Sequence, residues 1–161
     1  MHCIWMVEMD GKELEKEIDD LLRAAGLDLL EFSVTRHRGK THVRAVIYSR
    51  EGTGTDECAK AHRLILPRVQ MRLGDQEPYI EVFSPGIDRI IRTEREWQAF
   101  TGSYIMILTS DVPEWRKGRL VNFGKGVVQI EMNETVVDIP IASIQKAKLD
   151  SSHEGEKAHG I

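Results

Sequence analysis

Residues 30–48 read LEFSVTRHRGKTHVRAVIY, and this stretch is the most direct indication of the fold. Apolar side chains occupy every second position from Leu30 to Val34 and again from Val43 to Ile47. Arg38-Gly39-Lys40 lies between the two runs and is typical of a tight turn. Because neighbouring side chains of a strand point to opposite faces of a sheet, the pattern predicts a β-hairpin with one buried face.

A helix is predicted on each side of this hairpin. Apolar residues recur at helical spacing from Glu13 to Ala25, and Gly26 follows as the expected C-terminal cap. A second helix is expected to begin with Thr55 as its N-cap and to end near Gly74. Pro67 is expected to kink or interrupt this second helix.

A third strand follows the second helix. Residues 79–83 are rich in β-formers, and Ser84-Pro85-Gly86 ends the run. The order helix, strand, strand, helix, strand predicts an α-β-β-α-β domain of two layers over residues 12–90. Both helices are expected to lie on one face of its sheet.

Beyond this domain the pattern changes to short strands. Thr93 and Glu96 have the spacing of a capping box, so residues 91–102 are expected to form a helical joint. The five strands predicted within residues 103–150 are Ser103–Leu108, Gly118–Asn122, Val127–Met132, Val136–Ile139 and Ile144–Lys148. They indicate a small all-β barrel, and therefore an α+β chain overall. Residues 151–161 have almost no apolar side chains and are expected to be a disordered tail.

Charge is distributed unevenly along the chain. The 161 residues are 41% hydrophobic and carry a net charge of −4. Residues 36–72, however, contain nine basic residues against three acidic ones, a local net charge of +6, whereas the first predicted helix is acidic. Such a basic segment can bind phosphate. Solvated faces without a ligand would give the same composition, and charge alone does not separate the two interpretations.

Several classes of protein are disfavoured by the sequence. No apolar run approaches the roughly 18 residues of a membrane span, and the N-terminus lacks the basic segment and cleavage site of a secretory signal. Cys3 and Cys58 lie far apart and outside any Cys-x-x-Cys pair, so we expect no disulfide framework and a cytosolic location. Cys58 and His62 could share a metal ion, but two ligands favour packing and surface roles instead.

The Ser84-Pro85-Gly86 turn allows a catalytic and a structural interpretation. A nucleophilic serine elbow needs glycine two residues before the serine, where this chain has Val82, and Pro85 lacks a backbone donor for an oxyanion hole. We therefore favour a structural turn between domains. The charged residues that follow it are Asp88, Arg89, Arg92 and Arg95. They could be a basic edge for RNA or protein, or ordinary surface residues.

Basic residues also recur in the predicted barrel. They are Arg116, Lys117, Arg119 and Lys125, on or beside loops that connect strands. Small barrels often bind RNA through such loops, with aromatic side chains stacked on bases. Trp115 could be such a contact residue or a part of the barrel core, and the sequence leaves both open.

The chain resembles the RimP family of ribosome maturation factors over about Leu14 to Leu149. The motifs that carry the resemblance are Ser84-Pro85-Gly86-Ile87-Asp88-Arg89, Phe100-x-Gly102, Asp138-Ile139-Pro140-Ile141 and Ile144-Gln145-Lys146-Ala147-Lys148-Leu149. The resemblance implies an N-terminal α/β domain, a C-terminal Sm-like barrel, and a cytoplasmic protein with no cofactor or catalytic residue. We also expect a monomer without a metal site. It also implies binding to the free small ribosomal subunit, near small-subunit ribosomal protein number twelve, and help with late RNA folding.

We therefore expect a binding protein whose basic residues contact the unfinished subunit. The residues predicted to contact RNA or the ribosome are Arg36, Arg38, Lys40, Arg44, Asp88, Arg89, Arg92, Arg116, Lys117 and Arg119, and the structural turn comprises Ser84, Pro85 and Gly86. The acidic first helix or the barrel is expected to meet a ribosomal protein. Two rivals are a general regulator that binds single-stranded RNA through an Sm-like barrel and a hydrolase that uses Ser84.

Overall fold

A computed structural model describes residues 3–86 and 89–150, with side chains from Gly11 onward. The chain divides into two compact units. The first comprises residues up to Ser49 together with Thr53–Pro85, and the second comprises Arg50–Gly52 together with residues from Gly86 onward. No helix among the described residues has the length and apolar character required to cross a bilayer.

The first unit packs two helices against a three-stranded sheet. Its elements are α1 (Cys3–Ala24), β1 (Asp28–His37), β2 (Lys40–Tyr48), α2 (Thr55–Leu73) and β3 (Tyr79–Phe83). The strand order is β1-β2-β3. β1 pairs antiparallel with β2, and β2 pairs parallel with β3, so α2 is the crossover that a parallel pair requires.

The predicted hairpin forms through a two-residue turn. Arg38 and Gly39 both have positive φ, 53° and 77°, which matches the right-handed twist of the flanking strands. Val34 lies opposite Val43 and Phe32 opposite Ala45, so the apolar positions of the two strands share one face.

Both helices lie on this apolar face. The core is formed by Leu14, Ile18, Leu22, Leu27, Leu29, Val43, Ala45, Ile47, Ala61, Ile65, Val69, Leu73 and Ile80. Burying each large apolar side chain contributes about 1.5–3 kcal/mol, and this burial holds the two layers together. The opposite face of the sheet carries the alternate residues of each strand.

Three details of the helices differ from the predictions. α1 begins at Cys3, well before the predicted Glu13. The N-cap of α2 is Gly54, not Thr55, because the Glu57 carboxylate accepts a 2.9 Å hydrogen bond from the Gly54 N–H. The predicted interruption at Pro67 is wrong, since α2 runs through that residue to Leu73. Pro67 is exposed, so its ring meets solvent rather than the core.

The second unit is a five-stranded antiparallel sheet preceded by a short helix. Its elements are α3 (Glu94–Ala99), β4 (Tyr104–Thr109), β5 (Arg116–Gly124), β6 (Val127–Met132), β7 (Thr135–Pro140), a 3₁₀ turn (Ile141–Ser143) and β8 (Ile144–Leu149). The strand order is β7-β6-β5-β4-β8. Over the described residues no β7–β8 pairing closes this sheet, so the α+β class is confirmed while a closed barrel is not.

One face of this sheet is apolar and buried. Its side chains include Ile105, Ile107, Leu120, Val128, Ile130 and Ala147, and Trp97 and Phe100 around α3 are buried as well. The Trp97 ring stacks on Phe123, with centroids 6.2 Å apart. Gly118 lies where β5 and β6 approach closely, since a Cβ there would come within 2.8 Å of the Glu131 carbonyl oxygen. Residues that alternate with the buried set point to the other face.

Candidate RNA-contacting surfaces

Arg36 is held by the fold of the first unit. Its guanidinium donates to the Leu73 carbonyl at the end of α2 (2.6 Å) and to Thr41 Oγ1 (3.3 Å). Asp75 accepts from the backbone N–H groups of Thr41 (2.9 Å) and Glu77 (3.0 Å), and these bonds hold the pKa of Asp75 below its ordinary value. An arginine on the last carbonyls of a helix is a C-terminal cap, so Arg36 anchors the hairpin to α2.

Part of the basic segment is neutralised by the acidic first helix. The Glu17 carboxylate accepts from Arg68 at 2.6 Å and from Arg72 at 3.0 Å, and Arg72 also lies 3.7 Å from Glu13. Lys60 donates to the Ala25 carbonyl just beyond α1. The +6 segment is therefore weaker as a phosphate-binding surface than its composition suggests.

Besides Arg36, the hairpin has three exposed cations. Arg38 lies in the turn, Lys40 begins β2, and Arg44 lies further along β2 on the face away from the helices. The Arg44 guanidinium is 5.1 Å from the centroid of the Phe83 ring, in cation–π contact. These three predicted contact residues lie where a ligand can reach them.

The Ser84-Pro85-Gly86 turn lies where the chain passes from the first unit to the second, between Pro85 and Gly86. Arg89 Nε donates to Glu96 Oε2 at 2.8 Å, with side chains only 17% and 4% exposed. This pair fastens Arg89 to α3, so Arg89 is a poorer candidate for RNA contact than the exposed cations. Arg92 is exposed, whereas Asp88 lies outside the described residues.

Four cations gather on the outer face of the second sheet, which we call the cationic face: Lys117, Arg119, Lys146 and Lys148. Lys117 and Lys148 both lie opposite Met106 of β4, on its two sides. Arg119 lies opposite Tyr104, and Lys146 opposite Leu108. Glu131, on β6, lies opposite Arg119 at the margin of the group. Because these positions alternate with the buried ones, all four side chains point away from the core.

Trp115 borders the cationic face and is not part of the core. Its side chain is 38% exposed, and Lys148 Nζ lies 5.2 Å from its ring centroid. Arg116, in contrast, lies opposite the buried Ile107 and donates to Thr109 Oγ1 at 3.0 Å. Hydrogen bonding by Thr109 and the nearby Arg116 charge lower the pKa of Asp111. Arg116 is therefore a poorer candidate for RNA contact than Lys117 or Arg119.

The sequence prediction missed Lys146 and Lys148. A usable signal was present: in β8, Lys146 and Lys148 alternate with the buried Ala147. What could not be inferred is that β8 pairs with β4 rather than with β7, its neighbour along the chain. That pairing brings the two lysines beside Lys117.

Cys58 is the cysteine whose side chain the structure describes, and the state of its thiol bears on metal and redox chemistry. Burial, followed by the charge of Glu57, raises the pKa of its thiol, which disfavours the thiolate that binds metals. Among the described residues, no three or more His, Cys, Asp or Glu side chains cluster as a metal site would require.

Two comparisons with known proteins indicate which family this chain resembles. Residues 17–88 match the family model of the RimP N-terminal domain. The chain is also 25% identical over 141 residues to the ribosome maturation factor RimP of Borrelia hermsii (strain HS1 / DAH), an alignment that covers 88% of this chain and 96% of that relative. The resemblance to the RimP family seen in the sequence motifs is thus confirmed.

Proposed function

We propose that this protein is a ribosome maturation factor of the RimP type, which binds the free small ribosomal subunit in the cytoplasm and assists the late folding of its RNA. The observation that carries the proposal is the cationic face, because four cations there surround half-buried Tyr104, Met106 and Leu108. Lysine stems cover apolar surface while their amines stay in water, available to phosphate.

The spacing of the cationic face suits a phosphate backbone. Residues two apart on a strand are about 7 Å apart, and residues two strands apart are about 10 Å apart. Lys117 and Arg119 have the first relation, and Lys117 and Lys148 the second. Binding there would release counterions from RNA, so affinity should fall steeply as salt rises.

Binding of this kind can act without making or breaking bonds. A surface that fits the near-mature RNA better than misfolded forms raises the population of the near-mature form by its difference in affinity. We therefore assign no catalytic residue, and Ser84, exposed at the turn, is left with a structural role.

The remaining parts of the proposal concern architecture and partners. We propose that the second unit is Sm-like, supported by its five antiparallel strands and by the 3₁₀ turn that leads into β8. Small-subunit ribosomal protein number twelve is the proposed protein neighbour. We also propose that the functional domains are residues 12–90 and 103–150, joined by residues 91–102. We expect the protein to act as a monomer.

The test is sedimentation with purified small subunits at several salt concentrations. For the K117Q/K148Q variant we expect weaker binding and a slope of log affinity against log salt that is smaller by about 1.5, since two phosphate contacts are lost. The control variant K12Q/K16Q removes the same charge from two exposed lysines of α1 and should bind like the wild type.

Two outcomes would contradict the proposal. Equal losses in both variants would mean that net charge alone governs binding, and wild-type protein that does not sediment with small subunits would remove the function itself. A general RNA-binding regulator would show the same affinity for unrelated single-stranded RNA as for the subunit.

A further inference from the structure

The first sheet exposes two aromatic rings on the face that its helices leave open. Tyr79 is 57% exposed and Phe83 is 40% exposed. They lie four residues apart on β3, so both side chains point to the same face of the sheet. Along the strand they are about 13 Å apart. Exposed rings grouped on one face indicate a contact surface rather than core packing.

Contacts on this face hold the rings in place. The Tyr79 hydroxyl donates to Glu81 Oε1 (3.2 Å), and His42 Nε2 lies 3.0 Å from Glu81 Oε2. The His42 and Tyr79 rings meet edge to face, with centroids 4.9 Å apart. Arg44 lies over Phe83 at 5.1 Å. Glu81 therefore bonds to its neighbours on this face, and both aromatic rings are held in place before any ligand binds.

The charge around the rings favours a nucleic acid. Arg44 is next to Phe83, and Lys40 and Arg38 continue the cations toward the tip of the hairpin. Aromatic rings and guanidinium planes stack on bases, while lysine and arginine neutralise phosphates. An apolar peptide would use the rings but gain nothing from the three cations. Paired bases in a duplex are already stacked, so a stacking platform has little to offer them.

We propose that this face, defined by Tyr79, Phe83, His42 and Arg44, binds unpaired nucleotides of single-stranded RNA by stacking two bases on Tyr79 and on the Phe83–Arg44 pair. The inference rests on the proposed function, because it names the kind of RNA that the first unit would hold on an unfinished subunit. Holding unpaired segments would keep them from forming wrong helices, whereas the cationic face follows the phosphate backbone of either form.

The experiment measures binding of the full-length protein to a fluorescein-labelled single-stranded decamer of mixed sequence and to the duplex of the same length. Wild-type protein should bind the single strand at least about fivefold more tightly than the duplex, given what stacking of one base contributes. Tyr79→Leu/Phe83→Leu keeps apolar side chains but removes both rings, and should abolish this preference. Tyr79→Phe keeps the ring and should retain it.

Two controls separate this idea from its alternatives. Met71→Ala removes an exposed apolar side chain on α2 and should leave both affinities unchanged. K117Q/K148Q should weaken single-strand and duplex binding alike, with the preference kept. Thermal unfolding of each variant checks that the fold is intact.

The proposal is overturned if the double leucine variant, folded as the wild type, keeps the single-strand preference, or if the wild type has none. A leucine variant that keeps its RNA affinities but loses affinity for ribosomal proteins free of RNA would also overturn the proposal, because the face would then be a protein contact. Because the decamer assay contains no ribosomal subunits, a measured single-strand preference would stand even if the protein did not bind the small subunit.

Discussion

Replacement of Glu96 should test whether one nearly buried carboxylate holds the start of the second unit together. Its Oε2 accepts from Arg89 at 2.8 Å, and its Oε1 accepts from the Thr93 hydroxyl at 3.1 Å and the Thr93 N–H at 3.3 Å. Thr93 Oγ1 in turn accepts from the Glu96 N–H, which completes the capping box of α3. The carboxylate therefore serves both an ion pair and a helix cap.

The expected cost of Glu96→Ala follows from these contacts. Breaking a buried ion pair by removing one partner costs about 3–5 kcal/mol, and losing a cap costs about 1 kcal/mol. Because Arg89 keeps 17% of its side chain in solvent, we expect a total near the low end, about 3 kcal/mol. Glu96→Gln keeps an oxygen acceptor but not the charge, and should cost about 1 kcal/mol.

Urea denaturation in a Trp5→Phe background measures this cost, since Trp97 and Trp115 then both report on the second unit. With a slope of about 1–1.5 kcal/mol per molar urea, Glu96→Ala should lower the midpoint by about 2–3 M. A loss below about 1 kcal/mol would refute the reasoning. So would equal losses for Glu96→Ala with Arg89 present and with Arg89→Met, because the two side chains would then show no coupling.

Three further predictions concern stability. Gly118→Ala should cost about 1–3 kcal/mol in thermal unfolding by crowding β6, whereas Gly124→Ala on the same strand meets open space and should be nearly neutral. Because folding lowers the pKa of Asp75, this carboxylate should stabilise the fold at pH values above its unfolded-state pKa, and the contribution should be lost as the pH falls below about 4. The urea midpoints of the wild type and Asp75→Asn should therefore converge in acid, and a difference that stays constant with pH would contradict this. Pro67→Ala should raise the free energy of unfolding by about 1–3 kcal/mol, and any decrease would show that the ring contributes packing.

The features predictable from sequence are those decided by near neighbours. The hairpin follows from alternation and from a turn in which Gly39 accepts positive φ, and the α3 capping box follows from Thr93 and Glu96 three residues apart. α1 begins well before the predicted Glu13 and includes Gly11, although glycine is unfavourable inside a helix by about 1 kcal/mol relative to Ala. The predicted interruption at Pro67 was wrong because the tertiary packing of Ile65 and Val69 outweighs the local penalty of proline in a helix.

The candidate surfaces were only partly predictable because several arginines have partners that lie far away in the chain. Arg68 meets Glu17 across 51 residues, and Arg36 reaches the Leu73 carbonyl across 37. Such contacts decide which cations are engaged within the fold and which remain available to a ligand. Composition counts both kinds alike, so the +6 segment predicted more RNA contact than its geometry leaves accessible.

The position of β4 between β5 and β8 has a consequence for the newborn chain. A polypeptide emerging from its own ribosome can pair β4 with β5 at once, but the partner on the other edge appears only after three intervening strands have been made. Closing that long loop is a slow step of folding. Lys146 and Lys148 thus join Lys117 and Arg119 only when this step is complete. A nascent chain that stalls or is truncated before β8 would carry only half of the positive charge of the cationic face.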